Sequence, residues 1–182
     1  MNKIIIFGFP HCGTTITKCI IGHSESIEEV YNEAYEIKHT PESGKFAVIK
    51  WPWTWQKFFE DQYKDYIKIF IIRNPLFVFS SLNRRFNYNL PNDHSLNEYF
   101  KTASLFLHFK MQPMENLYTI RYEDLFDNDY QNFKNILNNI GIKYTDQIFQ
   151  NTNYTNYTSH GELYDSNNIE HDKFRSWQVN RQ

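Results

Sequence analysis

Residues 3–22 constrain the fold of this chain more than any other segment. Residues 4–7, three isoleucines and a phenylalanine, form a short apolar run that predicts a buried β-strand. A turn-prone segment bounded by Gly8 and Gly13 follows, and from Thr14 the apolar residues recur at helical spacing. A strand, a loop and a helix start in this order predict an anion cradle, because the loop amides and the positive end of the helix face the same space.

The spacing of the two glycines is that of a phosphate-binding P-loop, with one departure. Gly8 and Gly13 are followed by Thr14 and Thr15, where a nucleotide kinase or ATPase has a lysine before the hydroxyl residue. That lysine reaches the β- and γ-phosphates, so its replacement disfavours ordinary ATP chemistry. The alternative interpretation is a strand, turn and helix whose glycines serve only packing.

Length and composition set the broad class. The chain has 182 residues, and we expect residues 1–182 to form a single domain with a substantial core. A hydrophobic fraction of 41% argues against disorder, and a net charge of −2 gives no indication of a nucleic-acid partner.

Cys12 and Cys19 lie on one loop–helix unit, too far apart for a disulfide. No segment has transmembrane length or resembles a signal peptide, so we expect a cytoplasmic protein.

Apolar runs alternate with segments of helical spacing along the chain. They predict strands at residues 4–7, 30–33, 46–49, 67–72 and 116–121, and helices at residues 14–22, 55–66, 76–86, 95–111 and 130–140. This alternation predicts an α/β fold of three layers, with a central parallel sheet between helices. Residues 151–168 are rich in Asn, Thr and Ser, which predicts irregular structure.

Polar residues follow four of the predicted strands at the point where each strand ends. His11 follows the first of them, Lys50 the second, Arg73 the third, and residues 122–124 the fourth. Ligands of open parallel sheets bind beyond the carboxyl ends of the strands, so these side chains predict a binding site there. We interpret the two carboxylates of residues 122–124, Glu123 and Asp124, as structural, fixing a loop or capping a helix.

The segment after the third of these strands predicts a phosphate site. Arg73 leaves the strand, Ser81 lies eight residues further on the next helix, and Arg85 follows one helical turn later. A guanidinium can bind a phosphate through two parallel hydrogen bonds, and a hydroxyl adds a further donor.

Four motifs, in this order, resemble those of the sulfotransferases. Residues 10–15, P-H-C-G-T-T, resemble the 5′-phosphosulfate loop, usually P-[RK]-S-G-T-T. Residues 73–85 resemble the 3′-phosphate motif R-N-P-x-x-x-x-x-S-x-x-x-R. Residues 121–125, R-Y-E-D-L, and residues 175–177, R-S-W, resemble two further segments of the family. The resemblance covers residues 3–177, nearly the whole chain.

The resemblance implies a fold related to the P-loop kinases and 3′-phosphoadenosine-5′-phosphosulfate (PAPS) as donor. The implied reaction moves the sulfuryl group to a hydroxyl or amine of a carbohydrate, small molecule or peptide, leaves adenosine 3′,5′-bisphosphate (PAP), and uses no metal. The residues that would bind the donor are Pro10, His11, Cys12, Gly13, Thr14 and Thr15 in the loop, Arg73 and Ser81 at the 3′-phosphate, and Lys173 and Arg175 in the C-terminal segment.

The sequence departs from the family at the residue that neutralises the leaving phosphate. His11 stands in place of the usual lysine or arginine, and Cys12 in place of serine. A histidinium stabilises the bridging oxygen or donates a proton only while it is protonated. Three alternatives stay open: His11 acts as an acid, Lys50 supplies the charge, or activity is reduced.

The acceptor needs a general base, and two residues are candidates. Glu33 leads, because its segment resembles one from which several sulfotransferases draw a carboxylate, and His39 is second. Either residue is equally well interpreted as a solvated surface group. Trp51, Trp53 or Trp55 would stack on adenine or, as aromatic residues do more often, pack in the core.

Two other functions remain as alternatives. A P-loop kinase of a nucleotide or small metabolite would need the missing lysine and ligands for Mg²⁺. A catalytically weak module that keeps the nucleotide site for recognition is supported only by His11.

Overall fold

The computed structural model describes residues 2–32, 37, 40–52 and 55–150, without the side chains of Asn32, Trp55 and Gln150. Its strands are β1 (Lys3–Gly8), β2 (Ile27–Asn32), β3 (Phe46–Trp51), β4 (Ile67–Ile72) and β5 (Leu117–Arg121). Its α-helices are α1 (Thr14–Gly22), α2 (Pro75–Phe86), α3 (Asp93–Met111), α4 (Gln131–Ile140) and α5 (Gln147–Gln150). Short 3-10 helices span Trp55–Phe59, Asp61–Tyr63 and Glu123–Leu125. Within the described residues, no helix has the length and hydrophobicity to cross a membrane.

The five strands form one parallel sheet in the order β2-β3-β1-β4-β5. Ile4 of β1 lies opposite Val48 of β3 on one side and Ile67 of β4 on the other. The chain therefore goes from β1 to the edge strand β2, returns to β3 beside β1, and then crosses to β4 on the other side of β1. Such a reversal opens a crevice at the carboxyl end of the central strand.

Helices cover both faces of the sheet, as the continuous burial of β1 requires. Ile4 and Ile6 point to a core shared with α1, α4 and α5, whereas Ile5 and Phe7 point to a core shared with α2 and α3. Successive strand residues face opposite sides, so an uninterrupted apolar strand must be covered twice. This confirms the predicted α/β fold with a central parallel sheet flanked by helices.

The helix predicted at residues 55–66 is wrong, because two 3-10 helices occupy this segment. The amides of Tyr63 and Tyr66 donate to carbonyls three residues earlier, at 3.0 and 3.1 Å. The carbonyls of the same two tyrosines accept from the buried ammonium of Lys68, at 2.6 and 3.2 Å. Lys68 of β4 thus binds the backbone at the end of these 3-10 turns, and burial of its side chain lowers its pKa.

Two helices begin with side-chain caps. The Asn74 side chain accepts from the Leu76 amide at 3.0 Å, which starts α2 at Pro75. The α3 helix begins at Asp93, two residues earlier than predicted, because Asn92 and Ser95 form a reciprocal capping box.

Candidate active site at the carboxyl edge of the sheet

The loop between β1 and α1 is packed so closely that its glycines are required. A Cβ added at Gly8 would lie 2.0 Å from the carbonyl oxygen of Ile71. A Cβ at Gly13 would lie 2.3 Å from Cδ2 of Tyr122, and Gly13 also has a φ of 102°. Gly13 is the N-cap of α1 and has no side chain to accept from the first amides of the helix. The loop therefore presents helix amides with their positive partial charge to the crevice, as an anion cradle requires.

His11 projects from this loop and contacts the 3′-phosphate motif. Its Nδ1 shares a hydrogen bond with Ser81 Oγ at 2.8 Å, and its carbonyl oxygen accepts from Arg73 Nη1 at 3.5 Å. The ring of Phe86 lies edge-on, with centroids 5.6 Å apart. Residues 70 and 62 positions apart in the chain thus meet at one point.

The electrostatic environment of His11 favours its neutral form. Burial lowers the pKa of His11 from 6.5 to about 4, helped by the positive charges of Arg85, Arg73 and Lys50. The three cations face one imidazole, so the ligand-free site already has an excess of positive charge. An anion placed here would be attracted, and it would offset the repulsion that keeps His11 neutral.

Arg73 is buried at the end of β4 and held by three contacts. Its guanidinium lies over the ring of Tyr122, 4.2 Å from the centroid, and 5.6 Å from that of Phe77. Its carbonyl oxygen accepts from the hydroxyl of Tyr99 at 2.6 Å. Its Nε is buried and, within the described residues, has no hydrogen-bond partner. A buried charged donor without an acceptor is costly, so this atom points to an anionic ligand.

Lys50 approaches the same loop from β3. Its side chain is buried, and Nζ donates to Thr15 Oγ1 at 3.0 Å. Thr15 lies in the first turn of α1, so the ammonium stands beside the positive end of that helix. Positive charge is thereby concentrated at this end of the sheet.

Glu123 fixes the loop that carries Arg73. Its Oε1 accepts from the backbone amide of Asn74 at 2.8 Å, and its Oε2 lies 3.7 Å from Nε of Arg121. The carboxylate thus ties the end of β5 to the end of β4. This agrees with the structural role predicted for Glu123.

Cys12 and Trp51 also contribute to packing. Cys12 is fully buried, and burial raises the pKa of its thiol to about 12, so it stays protonated. Cys12 and Cys19 are both free, as expected. Trp51 is half-buried and packs against the core that contains Phe7.

The structure brings together most of the residues proposed from the sequence. Those found in or beside the crevice are Pro10, His11, Cys12, Gly13, Thr14, Thr15, Lys50, Arg73 and Ser81. Glu33, His39, Trp53, Lys173 and Arg175 lie outside the described residues, as does the side chain of Trp55.

Sequence reasoning missed the part played by Tyr122. Its ring supports both Gly13 and the guanidinium of Arg73, joining two motifs that are far apart in the chain. Its position directly after β5, at the same edge as the other motifs, was the available signal.

Comparisons with known proteins agree with this architecture. No protein-family model matches the chain, and no curated protein matches it in sequence. Among solved structures, it is similar to mouse sulfotransferase SULT7A1 complexed with PAP, with a TM-score of 0.56 and 18% identity. It is also similar to the sulfotransferase domain from the curacin biosynthetic pathway, with a TM-score of 0.58 and 14% identity. The chain has the sulfotransferase fold.

The extent of the likeness differs between the two structures. The match to the mouse enzyme covers 82% of this chain and 61% of that one, so this chain spans less than two thirds of the mouse enzyme. The match to the curacin domain covers 88% of this chain and 82% of that one.

Proposed function

We propose that this protein is a sulfotransferase that moves a sulfuryl group from PAPS to a hydroxyl or amine acceptor. The observation that carries the proposal is the cationic cluster at the end of β1. There Arg73 has a buried, unpartnered Nε within the described residues, and it lies beside the loop that carries His11. The site thus offers donors for an anion with several charged groups. The mouse structure of the same fold is a complex with PAP, which supports a ligand of this kind.

The two ends of the donor would be bound by different elements. Thr14 and Thr15, with the amides at the start of α1, would hold the 5′-phosphosulfate. Arg73 and Ser81 would hold the 3′-phosphate, and Lys173 and Arg175 would close over it from the C-terminal segment. The residues present fit such a ligand, because cations and donors converge and the carboxylate of Glu123 is turned to the Asn74 amide.

Transfer of the sulfuryl group from PAPS needs positive charge at the 5′-phosphate oxygen that is bonded to sulfur. PAPS supplies an activated sulfuryl group whose transfer leaves PAP. Lys50 stands beside Thr15 and would neutralise charge that develops on the 5′-phosphate. His11 would add to this positive charge once it is protonated, and Ser81 orients its ring.

We propose that no metal takes part and that Glu33 or His39 serves as the acceptor base. Both cysteines are free thiols, which supports a cytoplasmic location.

One observation favours a second candidate, a nucleotide-binding module without appreciable turnover. The pKa of His11 is lowered to about 4, so at neutral pH the ligand-free site lacks the charge that lysine would give at this position. Such a module would bind PAP and transfer nothing.

Mass spectrometry of the purified protein and a transfer assay separate the candidates. We expect PAP to be retained through purification, and [³⁵S]PAPS to label a hydroxyl or amine acceptor. Retained PAP without transfer to any acceptor class would support the binding module. Retained ADP or ATP, with phosphoryl transfer that depends on Mg²⁺, would contradict both and support a kinase.

A further inference from the structure

The outer side of α3 carries a row of large apolar side chains that face solvent. Phe100, Leu107 and Met111 are 58%, 56% and 75% exposed. Met114, just beyond the end of the helix, is 50% exposed. The opposite side of the helix is buried, and its residues are Tyr99, Thr102, Phe106 and Phe109. The helix thus has a second apolar side, and this one is open to a partner.

The spacing of the exposed residues is that of a coiled-coil seam. From Phe100 the row continues at Ser104, Leu107 and Met111, in steps of four, three and four residues. Positions a and d of a heptad repeat have this spacing, and such a narrow stripe packs into the surface of another helix. Ser104 is small and exposed, so it leaves room for a side chain of that helix. We call Phe100, Ser104, Leu107 and Met111 the α3 seam.

Positive charge borders the α3 seam on both sides. Lys101 and His108 lie along one side at helical spacing, Lys110 lies along the other, and all three are exposed. Residues 100–111 include neither aspartate nor glutamate. Glu98, one turn before the seam, accepts from Lys101 at 2.7 Å and offsets part of its charge. Charges in such flanking positions select the partner of a helix.

We propose that the α3 seam docks an amphipathic helix of another protein, one with apolar residues at heptad spacing and acidic residues beside them. The acidic residues would pair with Lys101 and Lys110. A second copy of this chain fits less well, because it would bring the same cations to the seam. The seam extends about 16 Å along α3, at about 1.5 Å per residue, so about three turns of a partner helix cover it. This interaction goes beyond the proposed function and does not depend on it.

Two fluorescein-labelled peptides test the chemistry of the partner. Both have about three heptads with leucine at positions a and d, and they carry either glutamate or lysine at the flanking positions e and g. In anisotropy titrations of the full chain at low salt, we expect the glutamate peptide to bind at least about tenfold more tightly. The difference should shrink at about 0.5 M NaCl, because salt screens exposed charges. Equal affinity for the two peptides, or binding of neither, overturns the proposal.

Leu107→Glu tests whether the peptide binds at the seam. Leu76→Glu is the matched control, because it makes the same change at a leucine that is 76% exposed on α2. We expect Leu107→Glu to weaken binding of the glutamate peptide about tenfold or more, and Leu76→Glu to leave its Kd within about twofold. Met111→Glu is a second seam variant and should act like Leu107→Glu. Circular dichroism checks that each variant is folded, and equal weakening by the seam and control variants overturns the proposal.

A charge reversal tests the flanking cations. The double variant Lys101→Glu with Lys110→Glu should bind the lysine peptide more tightly than the glutamate peptide. Lys64→Glu with Lys143→Glu makes the same change in net charge at exposed lysines outside α3, and it should keep the wild-type preference. A wild-type preference in the Lys101→Glu and Lys110→Glu variant overturns the proposal.

Sedimentation equilibrium and vesicle flotation test the other occupants of the seam. A wild-type dimer that Leu107→Glu converts to monomer would make the seam a contact between copies of this chain. Binding to vesicles of phosphatidylserine and phosphatidylcholine, lost in Leu107→Glu and without peptide binding, would make it a membrane contact. Either result overturns the proposal. A monomeric wild-type protein whose binding of the glutamate peptide depends on Leu107 and not on Leu76 supports it.

Discussion

His11 combines two features that rarely occur together in a residue proposed for catalysis. Its backbone has a φ of 63°, in the left-handed region that is uncommon for residues other than glycine but that asparagine, aspartate and histidine adopt more often than most. Its ring is bound to Ser81 and surrounded by cations that oppose its protonation.

The first prediction follows from the sign of the pKa shift at His11. In the ligand-free protein its pKa is about 4, so it is neutral above that pH. A bound anion raises this pKa, because an opposite charge favours the charged form. Binding of PAP should therefore take up part of a proton at pH 6, and both PAP affinity and kcat should fall as pH rises through the His11 pKa of the complex.

Calorimetry in buffers of different ionisation enthalpy measures this uptake. His11→Lys should bind PAP without proton uptake and should move the alkaline fall in kcat well upward. His11→Ala should lower kcat far more than affinity. If His11→Ala kept the wild-type kcat and pH profile, the charge at the leaving oxygen would have to come from Lys50.

At the residue scale, the sequence predicts which residues form the candidate site better than it predicts their protonation states. The spacing of Arg73 and Ser81 places both in the site, because a strand end and the following helix are adjacent in any such fold. The pKa of His11 was not predictable in direction for the ligand-free protein. Its causes are burial and cations from β3, from the end of β4 and from α2, which only the folded chain brings together.

At the scale of elements, the contact between the β1–α1 loop and β5 organises the site. The ring of Tyr122 fills the space that Gly13 leaves open and supports the guanidinium of Arg73. One aromatic side chain thereby packs against both the β1–α1 loop and Arg73, so the R-Y-E-D-L segment contacts the two other motifs.

The second prediction concerns this close approach. Gly13→Ala should destabilise the protein by about 2–4 kcal/mol, because a Cβ would clash with Tyr122 and the positive φ would be strained. It should also abolish PAP binding. Gly141→Ala has a similar φ of 87° but no atom within 4 Å of the added Cβ, so it should cost only about 1 kcal/mol. Urea unfolding measures both, and equal losses would show that the contact with Tyr122 does not matter.

The buried strands were predicted well from the sequence, whereas the segment of residues 55–66 was not. The apolar runs of β1, β3 and β4 are buried on both faces, so they carry a strong signal. Residues 55–66 have helical spacing, yet they form two 3-10 helices, and the carbonyls of Tyr63 and Tyr66 accept from the buried ammonium of Lys68. Periodicity alone does not report this contact between a lysine and the backbone.

At the scale of the whole molecule, the strand order explains how distant motifs form one site. The switch beside β1 brings the ends of β3, β1 and β4 together, and Lys50, His11 and Arg73 lie at those ends. The alternation of strands and helices predicts the parallel sheet. The resemblance of the motifs to those of the sulfotransferases predicts the more specific fold. The base candidates Glu33 and His39 and the C-terminal pair Lys173 and Arg175 lie outside the described residues, so their placement stays a prediction.

The third prediction concerns metal. The charge of the leaving bisphosphate would be met by Lys50, Arg73 and the amides of α1, and no γ-phosphate has to be clamped. Excess EDTA should therefore leave the rate of sulfuryl transfer unchanged. A rate that collapses with EDTA and returns with Mg²⁺ would favour the kinase alternative.

The most direct test of the account compares PAP with ADP by calorimetry, in the wild-type protein and in Arg73→Ala. The two ligands differ in the position of one phosphate, and Arg73 is the residue proposed to bind the 3′-phosphate. We predict that PAP binds much more tightly than ADP and that Arg73→Ala removes about 2–3 kcal/mol of this preference, about 30- to 150-fold in Kd. Arg84→Ala, an exposed change on α2, should leave it intact. Equal affinity of the wild-type protein for PAP and ADP would contradict the donor assignment and the proposed function with it.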